Sequence, residues 1–224
     1  MLKKNISKER SRKTLARSSG RRKSCDRILI VTEGVKTEPN YFNDIRKDYK
    51  LATTNVCICH SSSGTAPRNV VEYAEQLFLK GNQHKGLAAR AFEQVYAVFD
   101  RDNHDTYAEA IEKAKNLDKK HSNDIKQQVK FAAIPSNPCF ELWLLLHFVD
   151  ISAPLTSSEV MKQVKKQIPE YDKSREGIFQ LIASRLDQAC KRADRLIQSN
   201  SADNGQYPYT YVHNLVKLLI DLKK

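Results

Sequence analysis

Two aspartates end an apolar segment at residues 95–104, which read VYAVFDRDNH. Asp100 and Asp102 follow five apolar residues that are typical of a buried strand. Carboxylates this close together repel each other unless a positive charge relieves them. The pattern therefore has two interpretations. It is either a solvated loop or Asx turn with Asn103, or a cation site. In the second case, strand alternation predicts that Arg101 points away from the cation.

A third acid, Glu33, follows the aliphatic segment RILIVT at residues 27–32. A Glu-Gly pair after a strand is often only a turn. If the two apolar segments are parallel strands of one sheet, however, all three acids lie at the same edge. Hard oxygen ligands suit Mg²⁺ or Mn²⁺, which polarise a phosphoryl oxygen and prepare a water, while a nearby carboxylate moves a proton. This combination predicts phosphodiester cleavage by a metal-dependent hydrolase.

Strand and helix signals alternate in the part of the chain that must position these acids. The strand candidates are residues 27–32, 55–60, 94–99 and 130–134, and the helix candidates are residues 38–49, 68–80 and 104–120. The alternation predicts an α/β fold with a mostly parallel, Rossmann-like sheet of about four strands and helices on both faces. Ligands of such sheets bind beyond the carboxyl ends of the strands.

Helical patterns replace the alternation after Pro138. We expect helices at residues 140–148, 157–167, 177–199 and 211–222. The chain is thus expected to consist of a basic disordered arm (1–24), an α/β domain (25–150) and a helical C-terminal subdomain (151–224).

Two side chains of the first C-terminal helix have open roles. Glu141 lies in the first turn, where the helix dipole favours an acid, but its position just after the fourth strand also makes it a candidate metal ligand. His147 is interpreted as a core histidine. His104, after the aspartates, either reaches the site or caps a helix.

The N-terminal segment carries much of the formal net charge of +12, with ten Lys/Arg and one acid up to Ser24. Such a basic segment with few apolar residues predicts disorder. It is either a solubilising tail or an arm that neutralises nucleic-acid phosphates. The side chains that we expect at the nucleic acid are Lys13, Arg17, Arg21, Arg22 and Lys23.

Composition excludes several classes of protein. No apolar stretch is long enough to span a membrane, and the N-terminus lacks the apolar core of a signal peptide, so we expect a cytoplasmic protein. The five cysteines include no CxxC pair, which favours reduced thiols and no zinc site.

Four phrases of the sequence resemble the RloB-like (AbiLii-type) family, whose core is similar to the Toprim fold. They are ILIVTEGVKTEPNYF, VYAVFDRDNH, IPSNPCFELWLLLHF and TYVHNLV. The resemblance implies a Toprim-like α/β domain in which Glu33 is a general acid/base and Asp100 and Asp102 bind Mg²⁺. It implies that Glu38 is a further ligand. Glu141 receives no role from Toprim topoisomerases, because SNPCFELW is peculiar to this family.

The same resemblance implies a nuclease of bacterial antiphage or abortive-infection defence, encoded beside an AAA-type ATPase that would be its partner. The substrate would be RNA such as tRNA, or DNA. If the C-terminal helices fold over the sheet edge, Lys173, Arg192 and His213 could contact the scissile phosphate; the alternative is a charged surface on a helical lid.

A catalytically silent module is the competing interpretation. On that view the arm binds nucleic acid and the C-terminal helices dock the ATPase. The presence of all three core acids favours catalysis.

Overall fold

The computed structural model describes residues 26–102, 105–199 and 207–223. The strands are β1 (Ile28–Thr32), β2 (Val56–His60), β3 (Gln94–Asp100), β4 (Lys130–Asn137) and β5 (Tyr209–Thr210). The helices are α1 (Thr37–Asp48), α2 (Pro67–Lys80), α3 (Tyr107–Leu117), α4 (Glu141–Leu145), α5 (Ser157–Gln167), α6 (Ile178–Ile182), α7 (Leu186–Ser199) and α8 (Val212–Asp221). The predicted arm and its basic side chains lie outside the described residues, as do Asn103 and His104.

Four parallel strands form the body of the sheet in the order β2-β1-β3-β4, and β5 pairs antiparallel with the outer side of β4. The prediction of a mostly parallel sheet in an α/β fold is confirmed. The fifth strand was not predicted, because two residues are too short to show a period of two.

Alternate residues of the central strands pack on opposite faces of the sheet. Ile28 and Ile30 of β1 lie in a core that includes buried residues of α1, α4 and the C-terminal helices. Leu29 and Val31 lie in a second core with residues of α2 and α3. Because both faces are covered, the strands are continuously apolar, and the C-terminal helices share the first core with the sheet.

Two predicted helices differ from the structure. The apolar segment 140–148 is α-helical only over α4. The expected continuous helix over 177–199 is wrong: a 3-10 turn at Ala183–Arg185 separates α6 from α7. The break has a packing reason, since α6 contacts α1 whereas α7 contacts β5 and α8. The apolar periodicity continues through the turn and therefore did not reveal it.

Across the part of the chain that is described, no helix has both the length and the apolar character needed to cross a membrane. The described cysteines are free thiols at Cys57, Cys59, Cys139 and Cys190.

His147 lies in the core directly after α4, fully buried. Its Nδ1 donates to the Trp143 carbonyl oxygen at 3.0 Å, and its Nε2 is buried without a hydrogen-bond partner. Burial lowers the pKa of His147 from 6.5 to about 4. The unfolded chain therefore takes up this proton at a higher pH than the folded chain does.

We expect this histidine to destabilise the protein in mild acid. The loss of folding stability caused by His147 is absent above pH 6.5 and grows as the pH falls. It reaches about 3 kcal/mol at about pH 4. Urea unfolding between pH 7.5 and pH 4.5 should show a shallower pH dependence for His147→Leu than for the wild type, because other titrating groups are common to both. The exposed His84→Gln is the matched control. An unchanged slope in His147→Leu would contradict the expectation.

Candidate functional site

The carboxyl ends of β1 and β3 hold two of the predicted acids against each other. The Glu33 N–H donates to the Val98 carbonyl oxygen at 2.9 Å, which continues the pairing of the two strands. In return, the Asp100 N–H donates to Glu33 Oε2 at 2.9 Å. Sheet pairing therefore fixes the Glu33 side chain at the first aspartate of the DRD motif.

Two helix starts bring further carboxylates to the same edge. Glu38 lies in the first turn of α1 and is only 6% exposed, and its Oε1 accepts the Gly34 N–H at 3.1 Å. A Cβ at position 34 would collide with the Glu38 carboxylate, so any other residue there would displace this side chain. Glu141, in the first turn of α4 and 2% exposed, accepts a hydrogen bond from the Tyr171 hydroxyl at 3.2 Å. We call Glu33, Glu38, Asp100, Asp102 and Glu141 the carboxylate cluster.

Mutual repulsion and burial shift the protonation of this cluster. Burial, followed by the charges of Glu38, Glu33, Glu141 and Asp102, raises the pKa of Asp100 well above its ordinary value. Burial also raises the pKa of Glu33 to about 7, against the opposing hydrogen bond from the Asp100 N–H. The cluster thus carries more negative charge than its surroundings neutralise, and it favours a proton or a cation.

Asp102 occupies the open side of the cluster. It is exposed, has a left-handed backbone with φ of 35°, and its Oδ1 accepts the Ser157 hydroxyl at 2.8 Å. The guanidinium of Arg101 lies 5.2 Å from the centroid of the Tyr107 ring. The arginine between the two aspartates therefore stacks on α3, in agreement with the expected alternation.

The segment between α5 and α6 brings Lys173 to the cluster. The Thr37 hydroxyl donates to the Lys173 carbonyl oxygen at 3.2 Å, and Asn40 Nδ2 donates to the Ser174 carbonyl oxygen at 3.1 Å. These contacts from α1 hold the segment in place, and Lys173 Nζ lies 3.4 Å from Glu141 Oε1. Partial burial acts to lower the pKa of Lys173, but the charges of Glu141 and Asp100 raise it.

The structure places the other two predicted phosphate contacts elsewhere. Arg192 Nη1 donates to the Leu146 carbonyl oxygen at 2.8 Å, and its Nε lies 3.4 Å from Asp150 Oδ2. His213 is 1% exposed and its Nε2 lies 2.9 Å from Asp194 Oδ1. Arg192 thus satisfies a carbonyl at the end of α4, and His213 belongs to the core. The structure does not bring either side chain to the carboxylate cluster.

Two polar partners of the cluster received no role from the sequence. Tyr171 reaches Glu141 across 30 positions of the chain, and Ser157 reaches Asp102 across 55. A capping box formed by Thr156 and Glu159 marks where α5 begins, but it contains no information about which side chain the next residue contacts.

The cluster has the ligand chemistry of a hard divalent cation but not the geometry of a preformed centre. Among residues 26–102, 105–199 and 207–223, no three His, Cys, Asp or Glu side chains are grouped closely enough to hold an ion. The contacts above explain this, since four of the carboxylates are turned toward protein donors. Carboxylate oxygens are suitable ligands for Mg²⁺ or Mn²⁺. For an ion to bind, the carboxylates would have to exchange their protein hydrogen-bond donors for the ion.

A sequence profile described as RloB-like protein matches residues 28–219, which include every member of the carboxylate cluster. No curated protein and no solved structure matches the chain. Because the matched segment covers far more than half of the sequence, the chain belongs to the RloB-like family.

Proposed function

We propose that this protein is a Mg²⁺-dependent, Toprim-type nuclease that cleaves phosphodiester bonds at the carboxylate cluster. One observation carries the proposal: acids from β1, β3, α1 and α4 converge at the carboxyl edge of a parallel sheet, and the pKa values of Glu33 and Asp100 are raised there. Concentrating like charges destabilises a fold, so a cluster of this kind is more readily explained by a bound cation than by structural need.

Each residue of the site has a separate role in the proposed reaction. Asp100 and Asp102 would hold the divalent ion, with Glu38 and Glu141 as additional ligands, and the ion would polarise the phosphoryl oxygen. Glu33, whose pKa is raised to about 7 in the metal-free cluster, would act as the general acid/base that moves the proton. Lys173, whose side chain is 63% exposed, presents a positive charge to a phosphate oxygen at the same edge.

Cleavage assays test the proposal directly. End-labelled RNA, including tRNA, and DNA are incubated with the full chain in Mg²⁺, in Mn²⁺ or in EDTA. We expect cleavage that requires the divalent ion and that falls about 100-fold or more in Glu33→Gln. The exposed Glu112→Gln on α3 is the matched control. Cleavage that persists in EDTA, or an unimpaired Glu33→Gln, would reject the mechanism.

The biological setting proposed here, antiphage defence with an AAA-type ATPase partner, rests on the family resemblance. Plaque formation should be reduced on cells that express the wild type with its neighbouring ATPase and restored with Glu33→Gln. Purification of the tagged full chain from such cells should recover the ATPase.

The catalytically silent module remains the second candidate, and one observation favours it. Most carboxylates of the cluster already have protein partners, including an ion pair between Glu141 and Lys173. Such a module would bind nucleic acid without cleaving it in Mg²⁺ or in Mn²⁺. Its affinity for nucleic acid would be the same in Glu33→Gln as in the wild type.

A further inference from the structure

A group of half-buried tyrosines lies at the same edge of the sheet as the carboxylate cluster and has no part in the mechanism above. The hydroxyls of Tyr107 and Tyr209 lie 2.6 Å apart, and the rings of Tyr209 and Tyr211 meet edge to face at 6.1 Å. Arg101 covers the Tyr107 ring. We call Arg101, Tyr107, Tyr209 and Tyr211 the tyrosine cluster.

The rings of this cluster differ from the aromatic core of the protein. Tyr41, Phe42 and Phe140 are fully buried and pack edge to face with one another. Tyr107, Tyr209 and Tyr211 are instead each half-buried, at the end of the sheet where β5 closes it. Each of these residues is therefore partly exposed to solvent, although the Tyr107 ring also packs edge to face on buried Phe99 at 6.1 Å.

Sheet register places the backbone of the tyrosine cluster at the same edge of the sheet as the acids. Asp100 pairs with Ser136 of β4, and Ser136 pairs with Thr210 of β5, where the two hydroxyls lie 2.8 Å apart. Tyr209 and Tyr211 flank Thr210, so their backbone lies two strand spacings from Asp100, or about 10 Å. Tyr107 and Tyr209 lie on the face of the sheet that carries Phe99, opposite to the face of Asp100, so a strand that contacts both clusters has to cross the carboxyl edge of the sheet. Arg101 connects the two clusters, since it is the residue between Asp100 and Asp102.

We infer that the tyrosine cluster is a base-binding subsite for single-stranded nucleic acid whose backbone passes the carboxylate cluster. Aromatic side chains bind unpaired bases of any sequence by stacking, and arginine adds a contact to phosphate or to the base plane. The bases of a duplex are covered by their neighbours and cannot stack on these rings. The inference rests on the proposed function for its catalytic context, and it restricts the substrate to single strands, loops or unpaired ends.

Binding in EDTA tests the subsite without cleavage. Fluorescence anisotropy is measured for the full chain with labelled single-stranded RNA, single-stranded DNA and the corresponding duplexes. We expect Tyr209→Leu and Tyr211→Leu each to weaken single-strand binding about tenfold, and Tyr209→Phe and Tyr211→Phe to bind nearly as the wild type does. Duplex binding should change less than twofold in all four variants.

Tyr49→Leu is the matched control, because Tyr49 is also half-buried with a cation, Lys223, 5.6 Å from its ring centroid, but lies at the end of α1. An oligonucleotide that contains 2-aminopurine gives a second readout. At protein concentrations that saturate the oligonucleotide, its fluorescence should be quenched by the wild type and by Tyr209→Phe but not by Tyr209→Leu, which separates lost stacking from lost binding. Unaltered single-strand binding in both leucine variants, or an equal loss for single strands and duplexes, would overturn the inference.

The two proposals fail separately. If the protein binds single strands through these tyrosines but does not cleave them, the subsite is supported and the nuclease function is rejected. If the protein cleaves in Mg²⁺ while both leucine variants bind single strands normally, the nuclease function is supported and the subsite is rejected.

Discussion

Replacing Asp100 with asparagine is expected to raise the melting temperature in EDTA and to lower metal-dependent cleavage at least about 100-fold. Burial and four neighbouring acids raise the pKa of Asp100, so its ionised form is less favourable in the folded chain than in the unfolded chain. At neutral pH the neutral amide removes that cost. The same change removes one of the two carboxylates proposed to hold the ion.

Differential scanning fluorimetry with increasing Mn²⁺ separates the two effects. The wild type should gain stability as the ion binds, and Asp100→Asn should start higher and gain little. Glu112→Gln, which neutralises an exposed acid outside the cluster, should follow the wild type. If Asp100→Asn cleaves normally, or if both proteins gain equally from Mn²⁺, Asp100 is not a metal ligand.

Lys173→Met is expected to increase Mn²⁺ affinity about tenfold while cleavage decreases about 100-fold. The ammonium group near Glu141 and Asp100 repels a divalent ion, so its removal should strengthen metal binding. The same group is the proposed contact to the scissile phosphate, so its removal should slow the reaction. Opposite effects on binding and rate would be difficult to produce by misfolding.

Isothermal titration with Mn²⁺ and cleavage at saturating metal provide the two measurements. Lys162→Met, on the exposed face of α5, is the matched control. A variant that binds the ion more tightly and also cleaves faster would show that Lys173 restrains the site, and the predicted phosphate contact would be refuted. Unchanged metal affinity would show that the ion does not bind near Glu141.

Local pattern explains what could be predicted of the fold. Continuous apolar segments marked β1 and β3, and an intervening helical period marked α1, because strand and helix propensities act over a few residues. Since parallel strands end at one edge, the shared edge of Glu33 and Asp100 could be predicted, whereas their direct contact depends on β1 and β3 being neighbours in the sheet. The same reasoning could not detect β5, whose two residues owe their conformation to β4.

By itself the sequence determined the parallel sheet, its two covered faces and the common edge of Glu33 and the DRD motif, since each depends on local periodicity and on the direction of parallel strands. Only the tertiary structure decided which distant side chains join them. It brought Lys173 to Glu141 through the α1 contacts and directed Arg192 to the end of α4. Such contacts depend on how helices pack over the sheet, and packing is set by the whole core rather than by residues adjacent in the chain.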